Sequence, residues 1–405
     1  MSVWDLVVGQ LVVPTMQRAA SEAARIVEGD EGWGAMTHAW LVTGPPGSGR
    51  SVVARAFAAA LVCTAGTDPP GCGSCPACRT AMAGTHPDVH LVATESLTLG
   101  VDFIRDLVRR AVLRPAEDRW QVLVVEDADR LTGEAADALL LSLEEPPPRT
   151  VWLLCTPAGE DIPPTIRSRC RTVALRTPPV EAVAAFLVAE GVDPAMASFA
   201  ARAAQGHIGR ARALATDEQA RHNRDEVLRL PTRLGDASSA LAAAAALLEA
   251  AEADAGAHCD TLDRVEADNL VAVIGSGRSK ARGSAGMTKD LEKRQKGRRT
   301  RVTRDFLDRA LVDVLGFYRD VLRVQSGADA ELINDEMRPS IQRLARATTV
   351  TVTSRRMAAV VAARDALAAN AAPLLALESL ALALRDPGPT TSASASSATH
   401  VPSSR

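Results

Sequence analysis

Five sites in this chain have residue types and spacings that carry chemistry. Cys63, Cys72, Cys75 and Cys78 stand as C-x8-C-x2-C-x2-C in "CTAGTDPPGCGSCPAC". The two-residue spacings, with Gly and Pro between, let the backbone fold around one ion so that thiolates meet at tetrahedral angles. Four soft ligands leave no open coordination position, so the expected zinc is structural rather than catalytic. "GPPGSGRS", Gly44 to Ser51, follows the phosphate-binding pattern G-x-x-x-x-G-K-[ST] with arginine at the lysine position. Around Gly44, Gly47 and Gly49 the backbone N–H groups up to Ser51 would face phosphate oxygens, and Ser51 is placed to ligate Mg²⁺. Arg50 brings a planar, broad guanidinium where a lysine would offer a compact point charge, which favours binding over hydrolysis.

Glu126 and Asp127 end an apolar run, "WQVLVVEDAD". In nucleotide-hydrolysing folds such a pair holds Mg²⁺ with Asp and polarises water with the following Glu. The reversed order leaves the base position about 1.5 Å shorter, a large deficit for a group that must reach its water. Thr156, at the end of "TVWLLCT", is placed to sense a terminal phosphate or attacking water; capping a turn is the alternative. Arg169 in "IPPTIRSRC" is of the type that can be supplied in trans to phosphates held by a neighbour.

These residues need a scaffold that brings strand ends together. "AWLVTG", "DVHLVA", "WQVLVV", "TVWLLCTP" and "CRTVALRTP" read as strands, and helical patterns fall between them, so an α/β domain with a parallel sheet is expected over residues 1–177, with the zinc module at 63–78 inserted. Fully apolar strands ending in polar residues put those residues at the carboxyl edge of the sheet, where ligands bind. After Pro178 the strands stop. Residues 178–232 read as a small helical lid with turns at Gly191 and Gly206, and 233–385 as an all-helical region interrupted by a basic insert at 275–302. Between Arg278 and Arg304 eleven Lys or Arg stand against Asp290 and Glu292. Contact with DNA phosphates and a solvated linker are both open for it. The Pro, Ser and Thr rich residues 386–405 are expected to be disordered.

Composition narrows the functions. The 405 residues carry a net charge of -3, so any basic surface is local. One tyrosine and six phenylalanines leave few aromatics for stacking on bases. There is no basic start followed by a long apolar run, and no stretch of about 18 apolar residues, so a cytoplasmic protein without membrane contact is expected. In a reducing compartment Cys155, Cys170 and Cys259, which lack ligand spacing, read as core thiols.

"GPPGSGRS", the inserted cysteines, "HPDVHLV", "VLVVEDADRL", "DALLLSLEEPP" and "TIRSRC" occur in the order found in bacterial DNA polymerase III clamp-loader subunits of the AAA+ class, which the chain resembles from Val7 to about Arg171. "NAAPLLALESLALAL" resembles the last helix of that family's collar. Two kinds of subunit share these motifs. The gamma and tau motors have an intact lysine and an Asp-Glu pair; the delta-prime kind has a degraded site and keeps the S-R-C arginine, and this sequence is similar to the latter. The resemblance implies a stator in replication that joins gamma/tau and delta subunits through its helical third region and helps ATP-driven loading of the sliding clamp onto primed DNA. It implies that Arg169 serves a neighbouring ATPase as an arginine finger. Nucleotide sensing would fall to Gly209 or Arg210 in "GHIGRARAL". ATP and Mg²⁺ binding stays open, since the glycines and Ser51 are retained. Two alternatives remain: an ATP-hydrolysing gamma/tau-like motor, and a zinc-containing DNA-binding protein using the basic arm.

Overall fold

The computed structural model describes residues 2–30, 34–92, 98–276, 284–328 and 331–385. The tail 386–405 and residues 277–283 of the basic insert lie outside the described residues. The chain divides into two compact units, Met1–Arg221 with Val265–Arg301, and His222–Arg264 with Val302–Arg405.

The first unit is built on a five-stranded parallel sheet of β1 (Ala39–Thr43), β2 (Val89–Val92), β3 (Gln121–Val125), β4 (Thr150–Thr156) and β5 (Arg171–Ala174). Their order is β2-β3-β4-β1-β5. The central strands β1, β3 and β4 are buried along their whole length because both faces are covered, whereas the edge strand β5 exposes Arg171 and Thr172. Trp40, Val42, Val122, Val124, Leu153 and Cys155 point to one face, against helices α1 (Val13–Glu28) and α2 (Arg50–Leu61). Leu41, Leu123, Val125, Trp152 and Leu154 alternate to the other face, under α4 (Val101–Ala111) and α5 (Gly133–Glu144), while α3 (Pro76–Ala83) belongs to the first. Trp40 meets Phe57 of α2 edge to face at 5.2 Å, a geometry that adds to the burial of both rings.

Helix starts follow local chemistry. The Cys75 sulfur accepts from the Cys78 amide ahead of Pro76, and the Thr132 hydroxyl accepts from the Ala135 amide. Short α6 (Pro164–Arg167) leads into β5. Beyond the sheet lie α7 (Val180–Ala189), α8 (Pro194–Ala204) and α9 (Ile208–Thr216), sharing a core of Val183, Leu187, Ala200 and Ala204.

Helices α10 (Glu218–Arg229), α11 (Ala237–Ser276) and α12 (Ser284–Gln325) contribute residues to both units. The basic insert was expected as a break between helices within the third region. Its described residues are instead the end of α11 and the first turns of α12, and 265–301 count with the first unit. From 284 to 325 the chain has eleven Lys or Arg, five Leu and no proline, which favours a helix. The second unit is completed by α13 (Arg338–Ala347), α14 (Val350–Ala368) and α15 (Pro373–Arg385) around Leu311, Phe317, Tyr318, Ile341 and Leu380. Inside it the buried Arg224 guanidinium bonds Glu336 and Asn334, and the Asp320 carboxylate accepts the amides of Ile333 and Asn334. Such a network satisfies charges that burial would otherwise penalise.

Candidate functional site

Strand order decides what meets at the carboxyl edge of the sheet. β4 lies between β1 and β3, so the loop after β1, Thr156 at the end of β4 and the acidic pair after β3 stand along one edge. Gly47 and Gly49 have φ of +82° and +92°, which side chains disfavour, and Gly49 caps α2. A Cβ on Gly47 would lie 2.4 Å from Cγ of His207, so the imidazole packs directly on the loop. His207 also caps α9, its Nδ1 accepting from the Arg210 amide at 3.2 Å, and Gly209 lies beside the same ring. From below, buried Gln10 holds the loop: its amide donates to the Ser48 carbonyl at 3.0 Å and the Arg176 carbonyl at 2.7 Å, and its oxygen accepts from the Arg176 amide.

Within this frame Arg50 turns back on the loop and donates to the carbonyl of Gly44. Burial pushes its guanidinium below the ordinary value, against the pull of Cys155, Asp129 and Asp127. Glu126 is gripped by Arg55, one turn further along α2, through Nε at 3.1 Å and Nη2 at 2.8 Å. Asp127 forms an ion pair with Arg301 at 3.0 Å. Cys155 sits fully buried on β4 behind these groups, its thiol pushed up to about 12 by burial and the nearby Glu126. The Thr156 hydroxyl donates to the Ala158 carbonyl at 2.9 Å, the arrangement of a turn cap.

Phosphate fits this site and Mg²⁺ does not. Ser48 is 1% exposed, and neither its hydroxyl nor Arg50 Nε finds a hydrogen-bond partner among the described residues. Donors left in that state call for an acceptor. Protein sites hold magnesium through one or two carboxylates, and here one oxygen of each carboxylate, Glu126 Oε1 and Asp127 Oδ2, is already matched by a guanidinium group.

Arg169 has partners away from the loop: Glu144 at the end of α5, and the Thr165 carbonyl at 2.7 Å. It is half-buried in the link between α6 and β5.

At the far end of α2 the four sulfurs of Cys63, Cys72, Cys75 and Cys78 lie within 4.8 Å of one another. A tetrahedral Zn–S₄ centre with bonds of about 2.3 Å separates its sulfurs by about 3.8 Å, and Cys63 and Cys75 stand at 4.0 Å. The donor set and spacing fit zinc. Amides of Cys75 and Cys78 donate to the sulfurs of Cys72 and Cys75, each at 3.3 Å. Cys72 is drawn down to about 6 by the Ser74 hydroxyl and the Cys75 amide, as a thiolate ligand requires, while burial pushes the Cys78 thiol up.

Arg55, Gln10, His207 and Arg301 escape the motif reading. Arg55 alone left a signal, one helical turn beyond Ser51.

The strand order and glycine loop define an α/β domain of the phosphate-loop class. Residues 21–179 match the family model described as DNA polymerase III, delta subunit, and over that region the chain is similar to delta-prime and other clamp-loader subunits. It is 36% identical over 211 residues to DNA polymerase III subunit delta' of Escherichia coli, covering 51% of this chain and 63% of that protein. Delta' of Pseudomonas aeruginosa is 40% identical over 135 residues, 33% of this chain and 41% of the relative. Subunit gamma/tau of Mycobacterium tuberculosis is 32% identical over 182 residues, 45% of this chain and 30% of the relative. The matched regions thus span 63% or less of these relatives' lengths. A gamma subunit-related protein from Thermotoga maritima superimposes with a TM-score of 0.40 at 17% identity, covering 91% of this chain and 98% of that one. No helix among the described residues is long and apolar enough to cross a membrane.

Proposed function

We propose that the chain is a clamp-loader subunit of DNA polymerase III that does not turn over nucleotide and that presents Arg169 to ATP held by a neighbouring subunit. The observation that carries this reading is the double hydrogen bond from Arg55 Nε and Nη2 to Oε1 of Glu126: the carboxylate at the metal-ligand position is paired from within, while Arg50 stands in place of the lysine. Gamma/tau and delta subunits are the partners. Hydrolysis in the neighbour drives release of the sliding clamp onto primed DNA, in the cytoplasm, and the thiol cluster holds a structural zinc. In this reading Glu144 keeps Arg169 folded against the chain, and assembly exchanges that carboxylate for a phosphate.

The test is Arg169→Ala in the reconstituted loader. An arginine finger is worth on the order of a thousandfold at its own interface, so the ATPase share of that interface should vanish while assembly persists. Unchanged ATPase in an assembled complex sinks the proposal. The motor reading draws on one observation, the retained glycine conformations ahead of Ser51. ATP turnover by the intact chain, abolished by Ser51→Ala, would establish it instead.

A further inference from the structure

The glycine loop and the acidic pair answer differently when asked to hold the two parts of a metal–nucleotide complex. At the loop, donors lack acceptors: Ser48 Oγ and Arg50 Nε are buried without partners among the described residues, at the amino end of the twelve-residue helix α2. An anion placed there accepts from both and from the exposed backbone amides. At the acidic pair each carboxylate already faces a cation through one oxygen, Glu126 Oε1 through hydrogen bonds and Asp127 Oδ2 through an ion pair. Arg55 reaches Glu126 from α2, and Arg301 reaches Asp127 from α12, at 22% and 17% side-chain exposure for the second pair.

The origin of Arg301 matters. It lies on the part of α12 that continues the basic insert, within the first unit, and that part is fixed by its own contacts. Leu291 and Arg298 are buried, and the Arg298 guanidinium bonds both carboxylate oxygens of Glu266 on α11 at 2.7 and 2.9 Å. The two helices therefore brace each other, and Arg301 extends from a braced segment. A Mg²⁺ ion arriving at the pair would compete with a guanidinium group at each carboxylate.

We propose that the insert supplies one of the two counter-cations of this site in cis: Arg301 pairs with Asp127 at the base position, as Arg55 pairs with Glu126 at the metal-ligand position, so that the loop takes a phosphate chain without Mg²⁺. This rests on the reading of the chain as a subunit that does not turn over nucleotide. The shared chemistry is a di- or triphosphate group, which a nucleotide and free pyrophosphate both offer.

The experiment is calorimetric titration of the intact chain with ADP and, separately, with pyrophosphate, each in EDTA and in excess Mg²⁺. ADP should bind in EDTA with an affinity within about threefold of that in Mg²⁺. Binding of pyrophosphate at similar strength assigns the site to the phosphate chain alone, and binding of ADP only assigns it to the nucleotide; either result upholds the proposal. Arg301→Ala leaves Asp127 unpaired beside the phosphates, so ADP affinity in EDTA should fall about tenfold and recover with Mg²⁺. Arg301→Lys should keep most of the affinity, which separates charge from loss of fold. Binding that needs Mg²⁺ in the unaltered chain, or no binding of either ligand, overturns the inference. ATP turnover would sink the functional reading, whereas Mg²⁺-dependent binding without turnover sinks this inference alone.

Discussion

The cysteine module and the phosphate loop are joined by the same helix, since α2 opens at Arg50 and leads at its other end to Cys63, yet the two sites keep their charges in opposite ways. In the module, four thiols converge with no basic side chain bonded to them among the described residues, and the amides of Cys75 and Cys78 support negative charge on sulfur. Its donors are arranged for an ion from outside. At the acidic pair the carboxylates converge as well, but each is already matched by an arginine of the chain itself. The difference teaches that a motif's residues can be present and correctly placed while their valence is spent internally. Only the partners tell the two situations apart.

Three changes would sharpen or break this contrast. The largest effect is expected at the module: Cys78→Ser, or removal of metal by a strong chelator, should lower the unfolding temperature by at least about 10 °C, because structural zinc binding contributes folding free energy directly. Mass spectrometry of the folded chain should find one zinc. A chain with no metal and an unaltered melting curve would erase the distinction. Next comes Arg55→Ala, which strands Glu126. Because Arg55 is partly exposed, water relieves some of the penalty, and a loss of about 1–2 kcal/mol is expected in denaturant unfolding. Adding Glu126→Gln to that variant should restore part of the loss; if it restores none, the bridge does not hold the site. The smallest effect belongs to Thr156→Val, at about 1 kcal/mol for the bond to Ala158, with ADP affinity unchanged. A large drop in affinity would assign the hydroxyl to phosphate rather than to the turn.

Much of this was legible because it is local. The β-strands show as apolar runs, the glycine loop as a spacing, and the thiols as a pattern confined to sixteen residues. Each depends on neighbours in the chain, which is what a sequence displays. Arg55 was half-legible, since α2 is readable as a helix and a turn of it separates Ser51 from Arg55. Arg301 and His207 were not, because their contacts with Asp127 and Gly47 cross long stretches of chain and depend on how helices pack. The insert shows the same limit differently. Its charge density left DNA contact and a solvated linker both open, and its described residues are helical, with Arg298 bridged to Glu266.

Gln10 carries a consequence for the order in which the molecule forms. Its side chain ties residue 10 to Ser48, 38 positions away, and to Arg176, 166 positions away. Closing contacts of such span is slow relative to forming a helix or a short loop. During synthesis the glycine loop can emerge and α2 can coil well before the strand after Arg169 leaves the ribosome, but the loop lacks its lower support until residue 176 arrives. The phosphate cradle should therefore be among the last parts of the first unit to acquire its final shape, and a chain truncated before β5 should show helical signal without it.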